Sequence, residues 1–289
     1  MNLVILGSTN YTYKCYKVLN KINKISGVLS TDSKIKISYS KKKIIISNYF
    51  NFSKIKNKNL KIKQINKFDQ IEALNFLKKL NPEIILVLGW YYIIPKPLIE
   101  KFNFVGIHAS LLPSNKGGAP LVWSILKNEK KTGVTLFKFS SKIDDGKIID
   151  QKSFKLKSKE TIKSAYDKTT KLSISLLNKF LKTYKAKRKI CFKKKKYPSS
   201  YNKQRKPSDG KINWNWTSSY IERFVRAQTK PYPGAYTFIN EKKFYIFKCR
   251  EVKKANKVYH YKKNIYKKNR YYYFKCKDYF IKAINSNEI

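Results

Sequence analysis

Only two side chains in this 289-residue sequence carry an imidazole, His108 and His260. Imidazole is the group whose charge changes near neutral pH, so acid–base or nucleophilic chemistry of that kind narrows to these two positions. His260 lies in KVYHYKKN, with no Asp, Glu or Ser beside it, and reads as a surface residue. His108 ends an apolar run, VGIHAS, and is followed by LLPSNKGGAP. Pro113, Gly117, Gly118 and Pro120 make that stretch a long irregular loop. Ligands bind outside the carboxyl ends of strands in open α/β sheets, which makes His108 a candidate for chemistry. Carboxylates are scarce too, and Asp144 and Asp145 stand together in SSKIDDGKII between two strand-like runs. A carboxylate there either caps the turn, or orients His108 and takes a proton through water.

The elements that must hold these groups are legible in outline. LVILG (3–7) reads as a strand, and Tyr13, Tyr16, Val18 and Leu19 follow at helical spacing, the opening of an α/β sheet. GVLST (27–31) reads as a second strand. Residues 33–68 are dense in Lys, Asn and Ser, and 70–80 return to a 3.6 period. IILVLG (84–89) is apolar on both faces, as a central parallel strand should be. Strands are expected at 105–110, 132–139 and 147–154, and a long helix over 159–185 with Ile162, Ala165, Tyr166, Leu172, Leu176, Leu177 and Phe180 near one stripe. Prolines and a basic run then mark a linker, and short aromatic, β-branched runs follow it. The expected organisation is an α/β domain with a mostly parallel sheet over 1–188, a linker at 189–208, and a small β-rich domain over 209–289.

Composition bounds the class of function. Hydrophobic residues make up 42% of the chain and aromatics 15%, enough for a sizeable core and against wholesale disorder. The formal charge of +48 invites a polyanion partner. Only six of the 65 basic residues are arginine, however, and Ile, Asn and Tyr are abundant alongside Lys. Arginine supplies the bidentate geometry that phosphate recognition favours, so the excess Lys reads as compositional background. Cys15, Cys191, Cys249 and Cys276 are far apart, with no CxxC and no Cys/His cluster, which argues against a metal site and for reduced thiols. No apolar run reaches the roughly 18 residues of a membrane helix, and the N-terminus lacks a signal-peptide pattern. A cytoplasmic protein is expected. GSTNYT after the first strand is no GxGxxG, and GxxxxGK[ST] and GxSxG are missing.

The residues around His108 resemble a known family. GIHASLLPSNKGGAPLVWSILKNEKKTGVTLFKFSSKIDDGKIIDQ is similar to the signature of the 10-formyltetrahydrofolate-dependent formyltransferases, of the methionyl-tRNA and amino-sugar types. The shared features are His-x-Ser-Leu-Leu-Pro (His108 to Pro113), Gly117, Thr132 to Thr135, and Ile143 to Gly146. A second block, RKPSDGKINW…FVRAQTKPYPGAYTF (205–238), resembles the linker and early C-terminal lobe of the same enzymes. The resemblance implies a Rossmann-like formyltransferase domain followed by a small β-rich domain. It implies that an amine attacks the formyl group of 10-formyltetrahydrofolate, with His108 and Asp144 as catalytic residues. The family's catalytic Asn maps to Gly106, a departure. Loss of one such oxyanion donor costs about 2.7–4 kcal/mol, so the expectation is that another group or a backbone N–H near Gly106 substitutes, that His108 as an imidazolium holds the oxyanion alone, or that the enzyme is slow. A Gly106→Asn change, restoring the amide, is expected to leave activity unchanged or raise it. The resemblance places the folate against Tyr92, Ile93 and Ile94, and against Phe139, Ser140, Ser141 and Ile143, with no metal.

Three acceptors remain at this level. Met-tRNA is favoured slightly over a nucleotide-linked amino sugar, and water, giving formyl-folate hydrolysis, would leave the C-terminal lobe unexplained. A non-enzymatic nucleic-acid-binding protein rests on charge alone, and His108 and Asp144 in matched motifs speak against it. The oligomeric state is not encoded in any of these features.

Overall fold

Residues Asn2–Leu6 (β1) are buried on both faces, as a strand in the middle of a parallel sheet must be. Leu3 and Ile5 enter one apolar cluster, while Val4 and Leu6 enter another. This alternation puts a layer on each side of the sheet. The computed structural model describes residues 1–36, 43–65, 69–194, 196–253 and 264–288. His260, and parts of the Lys-rich stretch 33–68, lie outside them. After β1 come α1 (Asn10–Leu19), β2 (Lys24–Thr31), β3 (Lys34–Ile35), β4 (Ile44–Ile45), β5 (Lys61–Ile65), α2 (Gln70–Leu80), β6 (Ile84–Val87), α3 (Lys96–Lys101) and β7 (Phe104–His108). The chain continues with β8 (Lys116–Gly117), α4 (Pro120–Leu126), β9 (Lys131–Lys138), β10 (Lys147–Lys155), α5 (Ile162–Lys187), β11 (Tyr201–Asn202) and α6 (Ser218–Gln228). It ends with β12 (Ala235–Ile239), β13 (Lys242–Val252), β14 (Ile265–Lys268), β15 (Tyr271–Lys275) and β16 (Phe280–Glu288).

Two compact units form. The first comprises Met1–Lys116, Gly133–Ser153 and Lys168–Tyr201. Its sheet has the order β10-β9-β7-β6-β1-β2-β5. The strands from β5 through β7 are parallel, and β9 is antiparallel to β7. On one face Cys15, Tyr16 and Leu19 of α1 pack with Leu176, Leu177, Phe180 and Leu181 of α5. On the other lie Ala73 and Leu77 of α2 and Leu98 of α3. The mostly parallel sheet and long amphipathic helix expected from the sequence are both present. No helix among the described residues is long and apolar enough to cross a membrane.

The order of connection reverses between β1 and β6, and that is where open α/β sheets form a crevice. Here side-chain hydroxyls occupy it. Thr12 Oγ1 donates to the Leu88 carbonyl at 2.5 Å. Ser8 Oγ accepts from the backbone N–H and the hydroxyl of Thr31, at 2.9 and 2.7 Å. The irregular, chemistry-bearing loop leaves the sheet further along, at the end of β7.

The second unit comprises Gly117–Thr132, Phe154–Asp167 and Asn202–Ile289. Its sheet, β12-β13-β16-β15-β14, is antiparallel throughout its pairings, as the aromatic, β-branched runs suggest. Helix α6 was not expected there. Its Ile221, Phe224, Val225 and Gln228 are buried on one stripe, and it packs against β13 and α4. Arg205 lies over the rings of Trp123 and Phe224, 5.4 and 5.8 Å from their centroids, and donates to the Asp209 carbonyl and Gln228 Oε1.

The N-terminus of α6 is capped from 60 residues downstream. Asp278 accepts the Ser218 N–H at 2.7 Å, and the Ser218 hydroxyl faces the carboxylates of Asp278 and Glu251. Partial burial pulls the Asp278 pKa up. The N–H groups of Ser218, Asp278 and Tyr279 and the Ser218 hydroxyl outweigh it and hold the carboxyl below its ordinary value. A depressed folded pKa means stabilisation that is present above the unfolded value of about 3.9 and lost as pH falls through the folded one. Asp278→Ala is therefore expected to cost about 1 kcal/mol at neutral pH. Urea unfolding of both proteins should show that deficit shrinking below pH ~4. A deficit unchanged by acid would assign the effect to packing instead of charge.

Candidate active site

The site is built on the end of β7. Phe104 and Val105 are core residues, Gly106 is buried, and the strand ends at His108 as the chain reaches the surface. The loop after it is pinned by Thr135 of β9, opposite His108 in the register. Thr135 Oγ1 donates to the Ser110 carbonyl at 2.7 Å and accepts from the Leu112 N–H at 2.9 Å and from Gln151 Nε2 at 2.8 Å. That exhausts a hydroxyl's one donor and two acceptor positions. Gln151 Nε2 also donates to the Leu112 carbonyl at 2.8 Å. The Thr-Gly-Val-Thr run is thus a clamp for the His-x-Ser-Leu-Leu-Pro loop.

Two acceptors flank the His108 ring. Nε2 lies 2.9 Å from the Asn115 carbonyl. A carbonyl oxygen only accepts, so Nε2 is the donor and carries hydrogen. Nδ1 lies 3.6 Å from Asp144 Oδ2, with the two side chains 10% and 19% exposed. That distance exceeds a hydrogen bond, and catalytic contacts of this type often tighten only when substrate is bound. Asp144 has left-handed backbone, φ 49°. Its turn is held by Gly146, where an added Cβ would meet the Lys138 carbonyl at 1.8 Å. The two adjacent carboxylates separate in role, for Asp144 faces His108 while Asp145 Oδ1 lies 3.4 Å from Lys116 Nζ.

Position 106 carries a packing constraint that the sequence did not show. A Cβ on Gly106 would sit 2.5 Å from Phe139 Cε2 and 3.1 Å from the Val87 carbonyl. The Phe139 ring stacks on Phe137 at 4.8 Å, and its N–H donates to the Phe104 carbonyl. Phe139 therefore stands where a side chain at 106 would start, and an Asn there requires the ring to shift. Gly106 is also paired to Val87 on one side and Phe137 on the other. Backbone flanked by two paired strands is committed to the ladder, which argues against its N–H as a replacement donor.

The remaining candidate residues are distributed between rim and core. Tyr92, Ile94 and Phe139 belong to one apolar cluster with Val87 and Trp90. Trp90 and Tyr92 meet edge to face at 5.6 Å. Burial, and then the carboxylate of Asp32, push the Tyr92 phenol up. Ile94 is buried and contributes packing, whereas Ile93 and Ile143 stand 62% and 54% exposed. Ser140 Oγ donates to the Lys142 carbonyl, and Ser141 is exposed in the same turn. Among the described residues no group of three or more His, Cys, Asp or Glu is placed to hold a metal ion. Cys15, Cys249 and Cys276 are buried and Cys191 is exposed. Burial pushes the thiols of Cys15 and Cys276 up to about 12, which keeps them protonated and unreactive. Sequence reasoning missed Asn115, Lys116 and Gln151 as partners of the site. An Asn inside a Gly/Pro-rich loop is a signal for left-handed backbone, and Asn115 has φ 55°.

The formyl transferase family matches residues 1–181, and the formyl transferase C-terminal domain matches 205–284. The bifunctional polymyxin resistance protein ArnA of Wigglesworthia glossinidia brevipalpis is 37% identical over 209 residues, 69% of this chain and 31% of that protein. The methionyl-tRNA formyltransferase of Citrifermentans bemidjiense is 32% identical over 179 residues, 61% of this chain and 56% of that one. The matches thus span about a third to just over half of the length of these relatives. Among solved structures, the N-formyltransferase of Helicobacter canadensis in complex with folinic acid and dTDP-3-aminofucose superposes over 99% of both chains, with a TM-score of 0.65 and 23% identity. That last likeness is one of fold.

The Gly106–Phe139 contact generates a test. Gly106→Asn alone is expected to destabilise the protein by about 1–3 kcal/mol through overpacking. Adding Phe139→Leu should recover most of that loss. Thermal unfolding of the two single variants and the double variant measures the coupling, and simple additivity would remove the steric account.

Proposed function

The chain belongs to the formyl transferase family, and on that premise we propose that it moves the formyl group of 10-formyltetrahydrofolate to a primary amine. The observation that carries this is the meeting of His108 and Asp144, from two separated motifs, beside an apolar rim. On this reading the exposed Ile93 and Ile143 and the partly buried Tyr92 and Phe139 cover a flat pterin ring, while Ser140 and Ser141 offer polar groups at its edge. The donor set contains nothing that calls for a metal.

Bound 10-formyltetrahydrofolate supplies an electrophilic formyl carbon. The residues of the chain then divide the work. His108 has hydrogen on Nε2 directed at the Asn115 carbonyl and Nδ1 toward Asp144, so in its doubly protonated form it stabilises negative charge on the formyl oxygen through its positive charge. Asp144 keeps His108 in orientation and takes the proton from the amine as its bond to the formyl carbon forms; returning that proton to N10 as the N10–formyl bond breaks releases tetrahydrofolate and leaves the carboxylate as it began. Gly106 contributes space for Phe139 in place of an amide donor. We divide the chain into a catalytic domain (1–188), a linker (189–208) and a C-terminal domain (209–289) that receives the acceptor.

The acceptor we favour is Met-tRNA. Curated relatives of the methionyl-tRNA formyltransferase type support it, and the +48 charge favours phosphate contact over any neutral acceptor. A nucleotide-linked amino sugar is the second reading, favoured by the whole-length likeness to the N-formyltransferase solved with dTDP-3-aminofucose. Incubation with 10-formyltetrahydrofolate and, separately, Met-tRNA and a panel of nucleotide amino sugars, read by product mass, separates the two. His108→Ala and Asp144→Asn are each expected to lower formyl transfer about 10²–10⁴-fold with an unchanged circular dichroism spectrum. Turnover near wild type in either variant removes that residue from the mechanism.

A further inference from the structure

Linker residue Ser200 returns to the loop that carries the site and meets it three times. Its N–H donates to the Pro113 carbonyl at 3.1 Å. Its carbonyl accepts the Lys116 N–H at 2.9 Å. Its side-chain Oγ accepts the Asn115 N–H at 2.8 Å. Asn115 between these contacts is 3% exposed and left-handed, and its own carbonyl is the acceptor for His108 Nε2. The peptide joining Asn115 to Lys116 is therefore gripped at both ends, by Ser200 at the N–H and by His108 at the carbonyl. The peptide before Asn115 is held by the Ser200 hydroxyl.

We propose that Ser200 is a positioning residue for His108, acting through the Asn115 carbonyl. The inference rests on the reading of His108 as catalytic. Its physical content is a tautomer. The direction of one carbonyl decides which ring nitrogen carries hydrogen and which edge of the ring faces Asp144. The first half of the loop, through Leu112, is anchored independently by Thr135 and Gln151. The half containing Asn115 is anchored by Ser200 and by the Ser110 hydroxyl, which donates to the Ser114 carbonyl at 2.6 Å. A segment outside the sheet thus sets the orientation of a side chain at the end of a sheet strand.

The experiment uses the full chain, and the scarcity of histidine makes it direct. With His260→Gln as background, a single imidazole remains, and long-range ¹H–¹⁵N correlation reads its tautomer. His108 is expected as the Nε2–H form. Ser200→Ala, which deletes the Oγ acceptor, is expected to disturb that spectrum. It should also lower kcat by about tenfold to 10²-fold, the cost of a small misplacement, with KM for the formyl donor unchanged within about twofold. Ser200→Thr, which keeps the hydroxyl, should restore both. An imidazole spectrum unchanged in Ser200→Ala overturns the proposal whatever happens to kcat. His108→Ala with wild-type turnover would instead sink the catalytic reading, and the spectrum would still report on the Ser200–Asn115–His108 relay.

Discussion

A carbonyl oxygen can accept a hydrogen bond but never donate one, and the state of this site follows from that asymmetry. With the Asn115 carbonyl 2.9 Å from Nε2 of His108, the hydrogen on Nε2 is assigned by chemistry. Nδ1 is then the edge presented to Asp144. The surrounding architecture keeps this one contact in place. Strand β7 delivers His108 to the sheet end, Thr135 clamps the first half of the loop, and the left-handed backbone of Asn115 turns its carbonyl toward the ring. Gly146 lets the opposite turn approach β9 closely enough to bring Asp144 across. Each arrangement is local and inexpensive, and none alone would orient an imidazole on a loop.

The parts legible in the sequence were those governed by period and by short-range turn chemistry. The β1, β6 and β7 strands, helix α2, helix α5 and the antiparallel C-terminal sheet follow from alternation and apolar stripes. The His108–Asp144 meeting followed from motif order and not from any pattern of hydropathy. Helix α6 was hidden although Ile221, Phe224, Val225 and Gln228 carry a clear i, i+3, i+4, i+7 stripe. Trp214 and Trp216 before it and Tyr220 within it are aromatic and β-prone, and they blend it with the aromatic strand runs that follow. The Asp278 cap and the Ser200 contacts span 60 and 85 residues, a range at which no local signal exists.

Gly106 illustrates why one position cannot be judged alone. Considered by itself it lacks an amide, and restoring the amide looks harmless. In three dimensions Gly106 and Phe139 are two halves of one packing solution. The ring occupies the volume that a side chain would take, and stacks on Phe137 behind it. Gly106 therefore follows from Phe139 as much as the reverse. Under the formyl-transfer reading, the duty of an absent amide falls on His108. The fixed tautomer of His108 then matters more here than in a site with two donors.

The charge of +48 belongs to the same kind of argument. In the described part of the C-terminal sheet Lys243, Lys267 and Lys282 lie on tyrosines. Lys282 is 3.6 Å from the centroid of Tyr271 and directly opposite Tyr273 in the register. Lys243 is 4.0 Å from Tyr236 and 5.0 Å from Tyr245, which face each other across β12 and β13. A cross-strand Lys–Tyr contact stabilises an exposed sheet face through its aliphatic stem and through the ring quadrupole, by about 0.5–1 kcal/mol at such sites. A chain rich in both residues makes such pairs readily, whatever it binds. Lysines spent in this way hold the sheet face together. These lysines keep their charge, and packing alone accounts for their place in the sheet, so the number of cations by itself does not identify a binding face.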